Sequence, residues 1–361
     1  MQPLIEIDVP ATPDHECLDD YLRLGWFRNG YYMAIAPLVL MDGDVFPVLS
    51  VRARLEGYRF RKSLRRVLRR GHDRFRVEIG PAYTDDARER LYEFGAERFF
   101  GYMMGSLDEL LAAEPFDELF DTEEVAVYDG ARLVAISYFD SGRTSVASLL
   151  GLYDPEYSSY GLGVFTMLLE VEYAIEHGYH YYYPGFVTHG HDRMDYKLRL
   201  DALQYLDGGG RWRALERTPH KNRWRERIVR RTAELERRLA AARVEARRRA
   251  NPYFLFASLG IAEADPVEGP IYFQCDPLEG DPARVIVEYV VDRDCYAVAR
   301  VRRSAELAEM IDARLSPEGQ HPVYAREPLE RDAVYWEGED ASEAVQQVLA
   351  VMDRAAAHSA D

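Results

Sequence analysis

The sequence predicts an α/β protein, a mixed sheet flanked by helices with a small α/β accessory domain at its C-terminal end. Three observations predict it. Strand-like and helix-like periodicities follow one another in the order strand, helix, helix, strand, strand, strand, helix, strand between residues 75 and 183. The last helix of that series, 161–177, is apolar around most of its girth (VFTMLLEVEYAI), as a helix covered on all sides must be. The composition changes at residue 251, where a basic stretch gives way to 111 residues with 9 Arg and 22 acids.

Each element has its own signal. Residues 1–20 read as an irregular, acidic lead-in. YYMAIAPLVL, a turn at Met41-Asp42-Gly43-Asp44 and VFPVLSVRARL form a hairpin across 31–55. Residues 60–70 (FRKSLRRVLRR) are a short, very basic helix, and 75–79 a strand closed by Gly80-Pro81. Thr84-Asp85-Asp86 caps a helix to about residue 100, and a shorter helix covers 106–113. Strands follow at 124–128, 133–139 and 144–152, punctuated by Asp129-Gly130 and Ser141-Gly142. Gly178 stops the apolar helix, and strands run over 179–183 and 203–206. Residues 219–250 read as one charged helix. Beyond it, strands at 271–274 and 285–301 alternate with helices at 304–315 and 341–357. The predicted organisation is an N-terminal segment and hairpin (1–58), an acyltransferase-like domain (59–212), a basic helix (213–250) and an acidic α/β domain (251–361). The element order resembles that of the Gcn5-related N-acyltransferase (GNAT) fold.

The charge is unevenly spread. The 361 residues carry 62 acids against 45 basic residues, a formal net charge of −17. Residues 52–76 nevertheless hold eleven Arg or Lys and two acids, and residues 211–250 fifteen and five, leaving −36 on the rest. The whole argues against indiscriminate nucleic-acid binding, and against a DNA partner, because phosphate contacts need basic surface. The two basic segments leave room for one nucleic acid held in one place. No run of about 18 apolar residues occurs, so no membrane partner is expected. The N-terminus has no basic start followed by an apolar stretch, and a cytoplasmic location is the expectation. Cys17, Cys275 and Cys295 are far apart and make no CxxC. His189 and His191 form an HxH in a Gly-containing loop, a pattern too common to be read as a metal site. No metal and no cofactor are expected.

Two stretches carry candidate chemistry. In SLLGLYDPEYSSYGLGVF (148–165), Gly161 and Gly163 open a helix whose free N–H groups suit an acyl donor's carbonyl or phosphate. Ser158 stands where a coenzyme A loop usually starts with Gln or Arg. In GYHYYYPGFVTHGHDRMDYKLRL (178–200), three successive Tyr put rings on both faces of a sheet, so they cannot all share one core.

Here the chain resembles the arginyl-tRNA–protein transferases and their bacterial leucyl-transferring relatives. Gly178, Tyr181, Tyr183, Gly185, Phe186, Met194, Tyr196 and Lys197 are similar to the family's YxYxGY and KMxYK elements, with Pro184, Phe186 and Arg193 departing from them. LGWFRNG (24–30), SLRRVLRR (63–70), LYEFGAERF (91–99) and YGLGVFTMLLEVEYAIEHG (160–178) are similar to further family elements in the same order. The resemblance spans roughly residues 20–212. The family's N-terminal cysteine cluster has no counterpart here.

The resemblance implies transfer of arginine or leucine from a charged tRNA to the N-terminal α-amine of acceptor proteins in an N-degron pathway of protein degradation. Aminoacyl-tRNA would be the co-substrate and protein N-termini the partners. The tRNA ester is already activated, so positioning and removal of an amine proton suffice. Tyr182, Tyr183 and Asp195 are the candidates for base or relay, and Lys197 for oxyanion stabilisation. Arg65, Arg193, Tyr196, Gly161, Gly163 and Gly185 are candidate substrate-binding residues. Arg61, Lys62, Arg66, Arg69 and Arg70 are candidate tRNA-binding residues, with Lys62, Arg66 and Arg70 sharing a stripe at i, i+4 spacing. The alternatives are a coenzyme A-dependent N-acyltransferase and a non-catalytic tRNA- or protein-binding homologue.

Overall fold

A computed structural model describes residues 6–8, 10, 15–35, 38–41, 44–98, 105–111, 120–188, 192–207, 210–215, 224–250, 271–275, 284–290, 293–303 and 329–358. In chain order the elements begin with β1 (Glu6–Asp8), α1 (His15–Arg23), β2 (Phe27–Asn29), β3 (Tyr32–Ile35), β4 (Leu38–Met41) and β5 (Asp44–Arg54). Then come α2 (Lys62–Arg74), β6 (Arg76–Pro81), α3 (Asp86–Arg98), α4 (Leu107–Leu111), β7 (Thr122–Asp129), β8 (Arg132–Ser141) and β9 (Ser145–Tyr153). A 3-10 turn (Pro155–Tyr160) leads into α5 (Leu162–Glu176), followed by β10 (Tyr181–Tyr183), β11 (Phe186–Thr188), a second 3-10 turn (Asp192–Arg199), β12 (Leu203–Leu206) and β13 (Trp212–Ala214). The rest is α6 (Trp224–Ala241), β14 (Arg247–Ala250), β15 (Ile271–Cys275), β16 (Arg284–Val290), β17 (Cys295–Arg303), β18 (Leu329–Gly338) and α7 (Ala341–His358).

These residues fall into two compact units, one of residues 6–36 and 48–220, the other of 1–5, 37–47 and 221–361. The first is built on a mixed sheet of order β13-β12-β5-β10-β9-β8-β7-β6. Its parallel pair is β9 with β10, and the crossover between them is α5, as parallel pairing demands. That makes the unit a GNAT-like α/β domain. Its main core gathers Val125, Val134, Val146, Phe165, Leu168, Val171 and Tyr182 between the sheet and α5. α2 adds Leu64 and Leu68, four residues apart on one face, and leaves its charges outward. Asp85 caps α3 by accepting from the N–H groups of Ala87 (3.0 Å) and Arg88 (2.8 Å).

Buried charges fasten the edges of this unit. Arg28 and Asp140 are both buried and meet at 2.6 Å. Arg28 also donates to Gly30 O (2.6 Å) and Thr122 Oγ1 (2.7 Å), so its burial is answered by a set of acceptors. Arg88 forks onto Glu124 across α3 and β7. Asp19 of α1 accepts from the Thr144 N–H (2.8 Å), the Thr144 hydroxyl (2.7 Å) and the Ser145 hydroxyl, holding the β8–β9 turn.

The second unit is an antiparallel sheet, β14-β15-β16-β17-β18, with α6 and α7 against one face. Leu235, Leu239, Val287, Tyr296, Val298, Ala344 and Val348 fill the space between them.

The structure corrects several expectations. Residues 1–20 contain β1 and most of α1, where Leu18 and Leu22 turn one face inward. The 219–250 segment is not one helix: α6 stops at Ala241, Arg243 takes a left-handed φ of 56°, and Arg247–Ala250 pair with β15 as an edge strand. The 285–301 strand is a hairpin of β16 and β17, and β18 was not foreseen. β5 is not part of a separate N-terminal segment but lies between β12 and β10 in the main sheet. The helix expected at 304–315 lies outside the described residues.

Gly71 of α2 sits on Phe165 of α5. A Cβ there would come within 2.2 Å of the buried ring. Gly71→Ala should therefore destabilise the fold by about 1–3 kcal/mol, the usual range for overpacking, despite alanine's better helix propensity. Urea unfolding of the two proteins side by side measures it.

Candidate active site

The site starts where two strands part. β9 and β10 are in parallel register at Ser145–Ala147 with Tyr181–Tyr183, and their pairing ends there. β9 continues to Tyr153 against β8, with a register shift that leaves Leu149 without an opposite residue. Such a bulge turns a strand away from its neighbour. On the other side, Pro184 and Gly185 (φ 87°) take the chain off β10 into β11. Ser148 on β9 and the Gly185 turn are thus the first residues past the point where the two strands part.

Alternation along β10 then sorts the three tyrosines. Tyr182 points to the α5 side, while Tyr181 and Tyr183 point to the opposite side, among Leu18, Leu22 and Met33. Tyr182 is fully buried and donates its hydroxyl to Glu170 Oε2 of α5 at 2.7 Å. Tyr183 instead accepts from Arg52 NH1 (3.2 Å), whose guanidinium also lies 3.9 Å from the Tyr181 ring centre and 4.3 Å from that of Trp212. The two predicted catalytic tyrosines are thus on opposite faces of the sheet. Only Tyr182 is on the face that carries Glu170.

Glu170 is 1% exposed in a helix that is otherwise apolar. Burial pushes its carboxyl up to about 7, against the hydroxyls of Ser137, Tyr182 and Ser148 and the charge of Lys197, which all favour the carboxylate. Burial and the neighbouring Glu170 carboxylate hold the Tyr182 hydroxyl well above its usual range, so Tyr182 stays protonated and acts as a donor. Ser137 Oγ is sealed from solvent beside Glu170 and makes no hydrogen bond of ordinary geometry. Ser148, half-buried, is the first residue of β9 past the paired stretch.

Lys197 closes the other side. Its Nζ donates to Phe186 O at 3.1 Å and lies 5.5 Å from the Phe186 ring centre. Burial lowers it to about 8, with Glu170 pulling the other way. Gly185 is favoured here by its positive φ, and a Cβ would meet Lys197 Nζ at 3.4 Å, an ordinary contact. Tyr196 and Asp195, on the same 3-10 turn, are exposed. Arg193 belongs to this turn by its backbone, and its side chain lies outside the described residues, as do His189 and His191. Among the described residues, no group of three or more His, Cys, Asp or Glu could hold a metal ion.

Gly161 adopts a left-handed conformation (φ 68°, ψ 38°) and starts α5 with no side-chain cap and no acid in the first turn. That leaves the helix start positive. Gly163 has the Tyr153 ring 3.6 Å from its would-be Cβ. The basic helix α2 is tied to the Lys197 turn at its own start: Arg61 donates to Arg199 O (2.8 Å) and lies 3.7 Å from Asp201. Arg61 is therefore a structural link as well as a positive charge. Arg65 donates to Phe60 O at 2.7 Å. Lys62, Arg66, Arg69 and Arg70 are exposed and have no ion pair among the described residues.

Sequence reasoning missed Glu170, Ser137, Ser148 and Arg52. The sequence offered only a partial signal for Glu170, a carboxylate between Leu169 and Val171, because Glu172 has equally apolar neighbours and is not buried. Ser137 and Ser148 carry no such signal, since serine is common in strands of any function.

Residues 82–207 match the family model described as "Arginine-tRNA-protein transferase, C terminus". An aspartate/glutamate leucyltransferase of Ruegeria pomeroyi is 28% identical over 204 residues, 55% of this chain and 73% of its own length. A protein of the same name from Rhizorhabdus wittichii is 28% identical over 217 residues, 58% of this chain and 80% of its own. Among solved structures, the C-terminal domain of a putative lysylphosphatidylglycerol synthetase from Agrobacterium fabrum aligns with 42% of this chain and 49% of its own, at 14% identity and a TM-score of 0.31, a likeness on which nothing is built. The matched residues hold Ser137, Ser148, Glu170, Tyr182 and Lys197, every member of the buried cluster. Through residues 82–207 the chain is similar to the C-terminal part of the arginine-tRNA-protein transferases, and leucyl-transferring relatives align with it over more than two hundred positions.

Proposed function

We propose that this protein transfers leucine from leucyl-tRNA to the N-terminal α-amine of acceptor proteins that begin with Asp or Glu. One observation carries the reading. The point where β9 and β10 part, with Ser148, Glu170, Tyr182 and Lys197 around it, is joined through Arg61 to a helix that holds four exposed cations with no ion pair among the described residues. The choice of leucine and of acidic acceptors rests on the printed activity of the relatives. The role is a cytoplasmic one in this reading, in keeping with the absence of any helix, among the described residues, long and apolar enough to cross a membrane.

The chemistry asks little of the protein. The aminoacyl ester is activated, and the attacking amine has a pKa near neutrality, so the enzyme has to align the two and receive one proton. The acceptor amine enters at Ser148 and attacks the ester carbonyl. Lys197 and the uncapped N–H groups at the start of α5 stabilise the oxygen that becomes negative. Tyr196 and Gly185 border the acceptor, and Lys197 supplies positive charge for an acidic first residue, with Arg193 a further candidate by its place in the sequence. Asp195 stays a candidate for orienting the amine from the exposed side of the turn. No cofactor takes part. Lys62, Arg66, Arg69 and Arg70 hold the tRNA phosphates.

Two measurements test this. Radiolabelled leucyl-tRNA incubated with the protein should label peptides beginning with Asp or Glu and not those beginning with Arg or Lys. No label in any peptide, together with acetyl-coenzyme A turnover, would replace the reading by a coenzyme A-dependent one. Replacing Lys62, Arg66, Arg69 and Arg70 together by Ser should weaken tRNA binding and flatten the slope of log affinity against log salt by about 3, at ~0.7–0.9 per lost phosphate contact. An unchanged slope would remove α2 from the tRNA interface.

A further inference from the structure

We infer that Glu170 receives the proton released when the acceptor amine attacks, handed to it by the hydroxyl of Ser148. The inference rests on the transfer reaction proposed above and names a residue set within it. Glu170 is too deeply buried to meet a substrate directly. Ser148 hydrogen-bonds the carboxylate, is half-buried where Glu170 is sealed, and is the first residue of β9 that β10 no longer pairs. Tyr182 donates to Glu170 Oε2 and is itself fully buried, so it fixes the carboxylate without meeting the amine. Ser137 Oγ, sealed against the same carboxylate without an ordinary hydrogen bond, shows unspent polar capacity at this point.

The step balances. As the neutral amine forms its bond to the ester carbonyl carbon, its N–H proton passes to Ser148 Oγ while the Ser148 proton passes to Glu170. When the tetrahedral intermediate collapses, the bond from carbon to the tRNA ribose oxygen breaks. The proton then returns from Glu170 through Ser148 to that oxygen. Peptide amide and tRNA hydroxyl leave, and Glu170 is a carboxylate again.

The groups facing Glu170 set its pH behaviour. They are Tyr182 on β10, Ser137 on β8, Ser148 on β9, and Lys197 and Tyr196 on the 3-10 turn. A carboxyl pushed up to about 7 is protonated and idle below neutrality, so the rate should rise as pH passes 7. Above about 8, Lys197 loses its charge and the rate should fall. The acceptor α-amine adds its own rise near 7.7–8.0, roughly.

The test compares wild type, Glu170→Gln and Ser148→Ala in steady-state leucyl transfer from pH 5.5 to 9. Glu170→Gln should lower kcat about 100-fold, within the usual range for loss of a general base, with KM for leucyl-tRNA unchanged. The rise near pH 7 should vanish and leave the amine's ionisation alone. Ser148→Ala should lower kcat roughly tenfold at unchanged KM, a smaller loss than that of the base itself because water can partly stand in. If Glu170→Gln does not fold, as judged by circular dichroism, Ser148→Ala decides. Full kcat in Ser148→Ala, or a Glu170→Gln enzyme that keeps the rise near pH 7, overturns the proton role while transfer itself stands. A wild type that transfers neither leucine nor arginine overturns the function and this inference together.

Discussion

A carboxylate in the middle of an apolar helix constrains everything around it. Glu170 lies where α5 crosses the sheet, and an isolated ionised carboxylate there would cost far more than the fold can spare. Each surrounding element therefore contributes a polar group: Tyr182 from β10, Ser137 from β8, Ser148 from β9 and Lys197 from the turn after β11. Lys197 in turn donates to the Phe186 carbonyl, just past the Gly185 turn. The departure of β9 from β10 leaves Ser148 just past the end of the paired stretch. Remove the carboxylate and the remaining groups have no common reason to converge.

The charge pattern resolves differently in the two basic segments. In α2 the buried positions Leu64, Leu68 and Gly71 take one face and leave Lys62, Arg66, Arg69 and Arg70 outward, with no ion pair among the described residues. In the second segment the arginines find partners close by. Arg211 and Arg213 pair with Asp207, and Arg227 and Arg231 with Asp294. Two segments of similar net charge thus differ: one helix leaves its cations available to phosphates, and the other segment engages Arg211, Arg213, Arg227 and Arg231 with nearby acids. Exposed pairs of this kind contribute little stability, but they do remove positive potential from the surface.

Much of the first unit was legible because its elements are periodic. The order of strands and helices, the apolar α5 and the Gly161 and Gly185 turns all follow from spacing and from residues with restricted conformations. The second basic stretch misled because arginine suits both a helix and an edge strand. The short link from α6 to β14 turns at Arg243, at φ 56°, and nothing in its type announces that conformation. The site was half legible. The structure puts Tyr182 and Lys197, two candidates named through the resemblance, beside Glu170, whereas Tyr183 was grouped with Tyr182 although a single step along a strand reverses the face. Ser148 was invisible because its importance comes from where a parallel ladder ends, which depends on residues thirty or more positions away.

The three tyrosines show how one strand serves two purposes. Tyr181 and Tyr183 surround Arg52, whose guanidinium also reaches Trp212 and Gln204, so this face of β10 joins β5, β12 and β13 into one packed edge. Tyr182 alone turns to α5. β10 is only three residues long, and a strand that short would slip easily with weak side-chain contacts on one face. The Arg52 stack on one side and the Tyr182–Glu170 bond on the other oppose that slip from both directions. A shift by one residue would put Tyr181 or Tyr183 against Glu170, strip Arg52 of its rings and move the end of the β9 ladder away from Ser148. The point where the strands part is therefore set by the register of β10, and the aromatic packing far from Glu170 is part of what keeps the carboxylate and Ser148 together.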